Sequence, residues 1–573
     1  MSTRTLRRVD ALERAFGDPT DVTSPVGHAA LLDADERQEM SVAGEALLDR
    51  YGLGAEFVPA ALGGRFTQVD EFVEVMRAVW RRDPCLGLGY GFASFIAAVN
   101  VWASGDPAQQ RTVAELLLRN RKVSSAYHEL AHGNDFSRAE FAATPEGSGW
   151  RLNGRKEVVT NLRRCDAMVV FARTSPAPGS RSHSQFLVVK DQLEPGALRY
   201  LPRFTSAGMR GVPLGGAEFV DCAVSGDSIL GAAGRGVETA LCSFQLTRST
   251  MPAMMVGILD TVLRISIGFA QARRLYGGAV IDLPYVRGVL VDAFTDLLTV
   301  DAFSTVVTRA LHLLPDETSV LASASKYLNA RLLMDATDAL ATVLGAQSYL
   351  REGPYAIAGK LARDLAPAGF GHASRAACQV TILPQLPRLA RRAWFNGEPA
   401  PPELFRPGAP LPELRFERLL PGLSKGDGIT ATLVGAADAV GGDGPLPGLI
   451  RHFRGALRSV RLDCLALPPR DLTIDASTSA YELAARYTVV LAAACCVGVW
   501  WQHRGTGDPF LGDEGWVTAA LARLARRLGP RCGPPPDLTP SVAEGVATAL
   551  LQAAVERHEA RRTFDLSDRS VPG

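Results

Sequence analysis

The chain has 573 residues, 61 Lys and Arg against 60 Asp and Glu, and 47% hydrophobic residues. That length exceeds what one core sustains, so roughly three or four domains are expected. A net charge of +1 excludes a generally basic nucleic-acid binder or an electrostatically held membrane binder, and nine scattered cysteines without a CxxC pair indicate neither a disulfide framework nor a zinc site.

The cysteine pattern makes a reducing cytoplasm the expected compartment, and the amino terminus, MSTRTLRRVDALERAFGD, lacks the apolar core of a secretory signal. Residues 1–122 read as a helical domain, since EFVEVMRAVWRRD and PAQQRTVAELLLRN repeat apolar residues every three or four positions. From 123 to 236 the pattern is β. AEFAAT, WRLNGRKEVVT, AMVVFART, SQFLVVK, LRYLPRF and AEFVDCAV are short and β-branched or aromatic, with Asn153-Gly154 a turn signal inside the second. Residues 237–395 return to helix. Met251, Met254, Met255, Ile258, Val262 and Ile265 form one helical stripe that reads as core, and further helices are expected over about 284–314, 317–346, 353–363 and 373–390. A Pro-rich connector, NGEPAPPELFRPGAPLP, occupies 396–412, and an extra helical domain fills 413–573. Its apolar run YTVVLAAACCVGVWW, residues 487–501, falls short of the roughly 20 residues that span a bilayer and reads as a buried packing face. The fold class is mainly α with a central β domain, and no membrane span is expected.

Six stretches carry a family resemblance: AYHELAHGND at 126–135, WRLNGRKEVVTN at 150–161, GMRGVPLGGAEFVDCAV, QLTR at 245–248, ARRLYG at 272–277, and LGAQSYLREGP followed by ARD at 362–364. In this order, over about residues 20–390, they resemble the acyl-CoA dehydrogenase superfamily. The resemblance implies an N-terminal helical domain, a β barrel-like middle domain and a four-helix bundle, with FAD between them and between subunits. It assigns cofactor contacts to Tyr127, His128, Asn134, Val158, Thr160, Thr342 and Ser374. Arg273 and Tyr276 would meet the FAD of a neighbouring subunit, and Asn134, Arg248 and Gly371 would meet substrate. A flavin that accepts electrons needs donors near its ring nitrogens and carbonyls, where charge develops.

The sequence departs from the family where the chemistry is carried. His128 replaces a Thr, Leu130 a Pro, Val158 a Trp, and Pro284 and Thr342 replace Gln. The family's catalytic Glu falls on His372, and its alternative position falls on Thr247, so both lack a carboxylate. Read from its neighbours alone, His372 is a histidine satisfied inside the protein; the resemblance makes it the candidate base. Three readings follow: an acyl thioester dehydrogenase with His372 as base, a flavin monooxygenase using His128 and His372, and a member without redox chemistry. The implied partners are an acyl thioester on coenzyme A or an acyl carrier protein, and an electron acceptor, either an electron-transfer flavoprotein or oxygen. Residues 413–573 resemble in position the extra domain of very-long-chain dehydrogenases and acyl-CoA oxidases, which implies a homodimer.

Overall fold

The structure is a computed structural model that describes residues 3–371, 373–419 and 421–572. The N-terminal region contains α1 (Thr3–Phe16), α2 (His28–Glu36), α3 (Val42–Tyr51), α4 (Val69–Arg82), α5 (Ala93–Ser104) and α6 (Pro107–Leu118). Helix α6 starts where its sequence dictates. Asp106 accepts from the Ala108 and Gln109 amides, Gln109 reaches back to the Asp106 amide, and Pro107 needs no donor at the first position.

The middle region forms a seven-stranded sheet from β1 (Val123–Ala126), β2 (Ala142–Glu146), β3 (Gly149–Thr160), β4 (Ala167–Arg173), β5 (His183–Val189), β6 (Leu198–Tyr200) and β7 (Leu214–Ser225). The order is β1-β4-β2-β3-β7-β6, with β5 on β4. Strand β1, which the pattern did not reveal, runs parallel to β4. The Asn153-Gly154 signal does not turn the chain. Strand β3 continues through it, and the register against β7 slips between Leu152 and Gly154, where Gly154 has φ 125°. Asn153 exchanges hydrogen bonds with Asp221 on β7, accepting from its amide at 2.8 Å, so the pair is absorbed as a bulge.

Helix α7 (Gly236–Ala272) is the longest element, followed by the hairpin β8 (Arg274–Leu275) and β9 (Gly278–Ala279). Then come α8 (Pro284–Leu313), α9 (Thr318–Leu344), α10 (Ala356–Asp364), α11 (Pro367–Phe370), α12 (Arg375–Ile382) and α13 (Leu386–Arg392). The single helix expected over 373–390 is therefore two helices, separated by a 3₁₀ turn at Leu383–Gln385 that contains Pro384. The methionine stripe is buried up to Val262, with Ile265 half-buried, but so is most of the rest of α7, because α4, α8 and α9 all pack on it. Closeness to α4 is set at Gly257, where a Cβ would stand 2.7 Å from the Arg77 carbonyl oxygen.

The remaining helices are α14 (Gly428–Ala439), α15 (Pro445–Leu465), α16 (Thr478–His503), α17 (Glu514–Ala525) and α18 (Pro540–Glu559). The 15-residue apolar run understated α16, which is 26 residues long and, like α7 and the 86–104 stretch, long and apolar enough to cross a membrane; 94% of its most apolar window is buried inside the protein. It lies against α8 and α9. The Pro-rich segment is strapped along α8. Arg309 donates to the carbonyls of Glu403 and Ala409 (2.8 Å each), and His312 Nδ1 meets the Pro412 carbonyl at 2.8 Å. Arg523 of α17 forks onto Asp296 of α8 with two 2.6 Å contacts. The C-terminal tail returns to α4, where Arg569 pairs with Glu74 at 2.9 Å.

Glu317, at the start of α9, accepts from the Gly428 amide at 3.0 Å, joining the bundle to α14. Burial, and then the nearby Asp427 charge, push Glu317 up to about 7. The folded protein therefore holds a proton between pH 4.5 and 7 that the unfolded chain has released, so stability falls as pH rises through that window. Glu317→Gln is expected to flatten this slope and to raise stability above pH 7 by at most about 3 kcal/mol, with little change near pH 5. Thermal melts of both proteins across that range check it.

Candidate functional site

The loop after β1 is pinned to β3 by a buried ion pair. Glu129 Oε1 lies 2.7 Å from Lys156 Nζ, and the same amine donates to the Tyr127 carbonyl at 3.0 Å. Glu129 also accepts from the amides of Glu140 (2.8 Å) and Phe141 (3.1 Å), closing the loop at its far end. Burial pulls Lys156 down to about 8, while the amine and the two amides hold Glu129 below its ordinary value. With a 2.7 Å contact and two further donors on the carboxylate, the charged pair is the neutral-pH state.

Pinned this way, His128 bridges antiparallel to Val158, and His128, Val158 and Thr160 form a half-buried ledge on one face of β3. His128 Nδ1 lies 3.0 Å from the Gly133 carbonyl, which can only accept. The proton is therefore on Nδ1, and Nε2 is an acceptor. Burial keeps the ring neutral by lowering its pKa. Tyr127 contributes only its backbone to the ledge. Its hydroxyl donates to Asn100 Oδ1 at 2.7 Å, and its ring packs with Phe136, Phe171 and Phe244 at centroid distances of 5.3–6.3 Å. Asn134 is exposed on the loop.

The aromatic cluster joins the ledge to α7, since Phe244 is part of it. Thr247 is buried and its hydroxyl donates to the Ser243 carbonyl at 3.2 Å, so it offers no base. Arg248 is buried as well, donating to Ser323 and Thr381 hydroxyls. His372 lies outside the described residues, but its flanks are held. Ser374 Oγ caps α12 by accepting from the Ala377 amide at 3.1 Å, and a Cβ on Gly371 would stand 2.8 Å from the Pro367 carbonyl oxygen. Lys326, which no motif marked, donates to the Ala368 carbonyl at 2.7 Å from the buried interior of α9, and burial draws its pKa down to about 8.

Arg273, Tyr276 and Thr342 are not brought to the ledge. Arg273 and Tyr276 lie on the exposed β8–β9 hairpin, Tyr276 being 93% exposed, and Thr342 is exposed near the end of α9. Arg273 is 25 positions beyond Arg248, roughly 37 Å along a helix, so one chain cannot offer both ends of α7 to the same isoalloxazine ring. Among the described residues, one grouping has metal-ligating side chains, Asp83, Cys85 and Asp364. Lys360 Nζ sits 2.6 Å from each carboxylate, so an ammonium already neutralises it.

The acyl-CoA dehydrogenase middle-domain family matches residues 124–222, and the acyl-CoA dehydrogenase C-terminal-domain family matches residues 234–368. The chain is 25% identical to the mitochondrial isovaleryl-CoA dehydrogenase of Oryza sativa subsp. japonica, over 59% of this chain and 81% of that protein. It is 27% identical to a probable acyl-CoA dehydrogenase of Mycobacterium leprae, over 57% and 83%. Among solved structures, butyryl-CoA dehydrogenase from Megasphaera elsdenii superposes with a TM-score of 0.60 at 17% identity, covering 67% of this chain and 97% of that one. The prolyl acyl carrier protein oxidase AnaB does so with a TM-score of 0.60 at 19% identity, covering 67% and 98%.

Lys156→Met would leave the Glu129 carboxylate buried without its cation. It is expected to cost about 3–5 kcal/mol and to loosen the 127–135 loop, whereas adding Glu129→Gln should recover much of that loss. Thermal unfolding of the two single variants and the double variant measures both effects.

Proposed function

The chain belongs to the acyl-CoA dehydrogenase superfamily of flavoenzymes, and from that premise we propose that it binds FAD and dehydrogenates the α,β bond of an acyl thioester, with His372 as the base. One observation carries the proposal. Two family matches, residues 124–222 and 234–368, cover the two walls that meet at the Tyr127–Phe244 cluster, the β3 ledge and α7. The ledge fits a flavin in residue type, with an apolar Val158, the Thr160 hydroxyl and an ordered loop backbone. When bound there, FAD supplies a two-electron acceptor.

The chain's own residues handle the substrate and the α proton. A histidine of ordinary pKa near 6.5 is largely neutral at cellular pH and accepts a proton. On either side of residue 372, Lys326 bonds the Ala368 carbonyl and Ser374 caps α12. Val158 and Gly371 replace larger family residues, giving room for a bulky acyl group or a carrier-bound one. The prolyl acyl carrier protein oxidase among the fold neighbours makes a phosphopantetheinyl carrier and oxygen reasonable alternatives to coenzyme A and an electron-transfer flavoprotein. A homodimer is part of the same reading, supported by the length of α7, which leaves Arg273 and Tyr276 to serve a second copy, and by α16–α18, which pack on α8. A cytoplasmic location remains part of the reading, resting on nine scattered cysteines without a CxxC pair, which suit a reducing compartment.

A second reading, flavin monooxygenase, is favoured by the missing carboxylates at 372 and 247 together with the acceptor Nε2 of His128. Anaerobic titration with a panel of acyl thioesters separates the two. Dehydrogenation predicts loss of flavin colour without oxygen, at a rate that drops about 10²–10⁴-fold in His372→Ala. Oxygenation predicts no bleaching but substrate-linked oxygen uptake with supplied reduced flavin. Protein that takes up no flavin would sink both, and a sedimentation mass of four chains would contradict the dimer.

A further inference from the structure

Arg248 carries a charge that the protein leaves unneutralised. The residue is 6% exposed, and its Nη1 donates only to Ser323 Oγ (3.2 Å) and Thr381 Oγ1 (3.4 Å). Its Nε is buried with no partner, and no carboxylate among the described residues stands within ion-pair distance. Lys326 adds to the same positive field, bonded to a carbonyl and the Met251 sulfur rather than to an acid. Withdrawing a guanidinium from water without a counter-ion is unfavourable, and a bound anion is the usual compensation.

The guanidinium lines a cavity of about 360 Å³, within the size range of small-molecule sites. Its walls alternate hydroxyls, from Ser319, Ser323 and Thr381, with the apolar faces of Pro384, Pro421 and Leu423. The last two belong to a segment that follows the Pro-rich strap and roofs the cavity. That roof is fastened at both ends: Gln245 Nε2 donates to the Leu419 carbonyl at 3.0 Å, and the Ser424 amide donates to Gln385 Oε1 at 3.0 Å. Leu423 is 47% exposed at the mouth, so a solute can enter.

We propose that this cavity binds the carboxylate end of an amphipathic organic acid, with Arg248 as the anion's partner. A planar fork beside hydroxyl donors matches a singly charged carboxylate, and the proline and leucine walls match a hydrocarbon stem. The carboxylate comes from one of two sources, the distal end of the acyl group or a free dicarboxylic acid. The first source rests on the dehydrogenase reading. It is suggested by position, because Arg248 follows Thr247 on α7 and contacts α12, which begins just beyond residue 372.

Calorimetric titration of the purified full chain with adipate and with dimethyl adipate tests the site. Adipate should bind and the diester should not. Arg248→Met should weaken adipate binding by at least about tenfold, with Arg248→Lys in between. Leu423→Trp, at the exposed mouth, should block adipate without touching the guanidinium, and it decides the matter if Arg248→Met does not fold. Equal binding of acid and diester, or adipate binding that neither Arg248→Met nor Leu423→Trp weakens, overturns the proposal. Comparing adipoyl-CoA with hexanoyl-CoA then separates the sources. A preference in kcat/KM for adipoyl-CoA that Arg248→Met abolishes assigns the site to the acyl tail, and adipate binding to protein saturated with hexanoyl-CoA assigns it to a free acid. If adipate binds through Arg248 but no thioester reduces flavin, the site stands and the dehydrogenase reading falls. Thioester reduction without any Arg248-dependent adipate binding removes the site alone.

Discussion

Close packing around α7 is the constraint on which the remaining structure depends. This 37-residue helix is buried over most of its surface, touching α4 where Gly257 meets the Arg77 carbonyl and touching α8 and α9 along the bundle. Its N-terminal half supplies Phe244 to the aromatic cluster and Arg248 to the cavity, and its end delivers the exposed Arg273–Tyr276 segment. Because a helix is rigid at this length, the two sets of residues are held apart by geometry rather than by loop choice. Everything that binds at one end must be served by another element, or another copy, at the other.

Charge is distributed unevenly around this axis. Beside α4 the arginines are matched: Arg77 pairs with Asp301 and with Glu74 (2.9 Å), and Arg81 with Glu13. The returning tail joins them, since the Leu566 amide donates to Asp301 at 2.7 Å and the Phe564 amide to Asp260 at 2.8 Å. That network consumes its charges to tie the two ends of the chain together. Around α12 the balance is different, with Arg248 and Lys326 buried and bonded only to neutral groups. At the junction with α14 it is reversed, where Asp427 accepts from Trp394, Tyr487 and Thr430 without any cation among the described residues. Matched charge holds the architecture, and unmatched charge marks where proton or ligand binding is coupled to the fold.

The sequence pattern was legible wherever it reflected one element's own periodicity. Helices α8 and α9 fall within two residues of their expected ends, because their apolar repeats and flanking turn residues are local signals. Strand β1 was not legible, being four residues long and defined by its parallel partner β4. The Asn153-Gly154 pair misled because its chemistry suits a turn or a bulge equally, and Asp221 on another strand selects the bulge. Lys326 carried no motif at all; its position under Ala368 exists only once α9 and α11 are packed.

Motif spacing alone identified the family, since this depends on the identity and order of side chains along the chain. It also placed Glu129 and Lys156 in their motifs, but not the reason for them, which is a 2.7 Å contact across two segments 27 residues apart. Tertiary structure alone decided that Tyr127 turns inward, that the Pro-rich segment is a strap along α8, and that Arg248 stands at a cavity with no counter-ion among the described residues. The division has a physical cause. Periodicity and motif are properties of neighbours in sequence, whereas burial, charge compensation and cavities belong to atoms brought together from distant segments, and only the packed chain determines which charges meet.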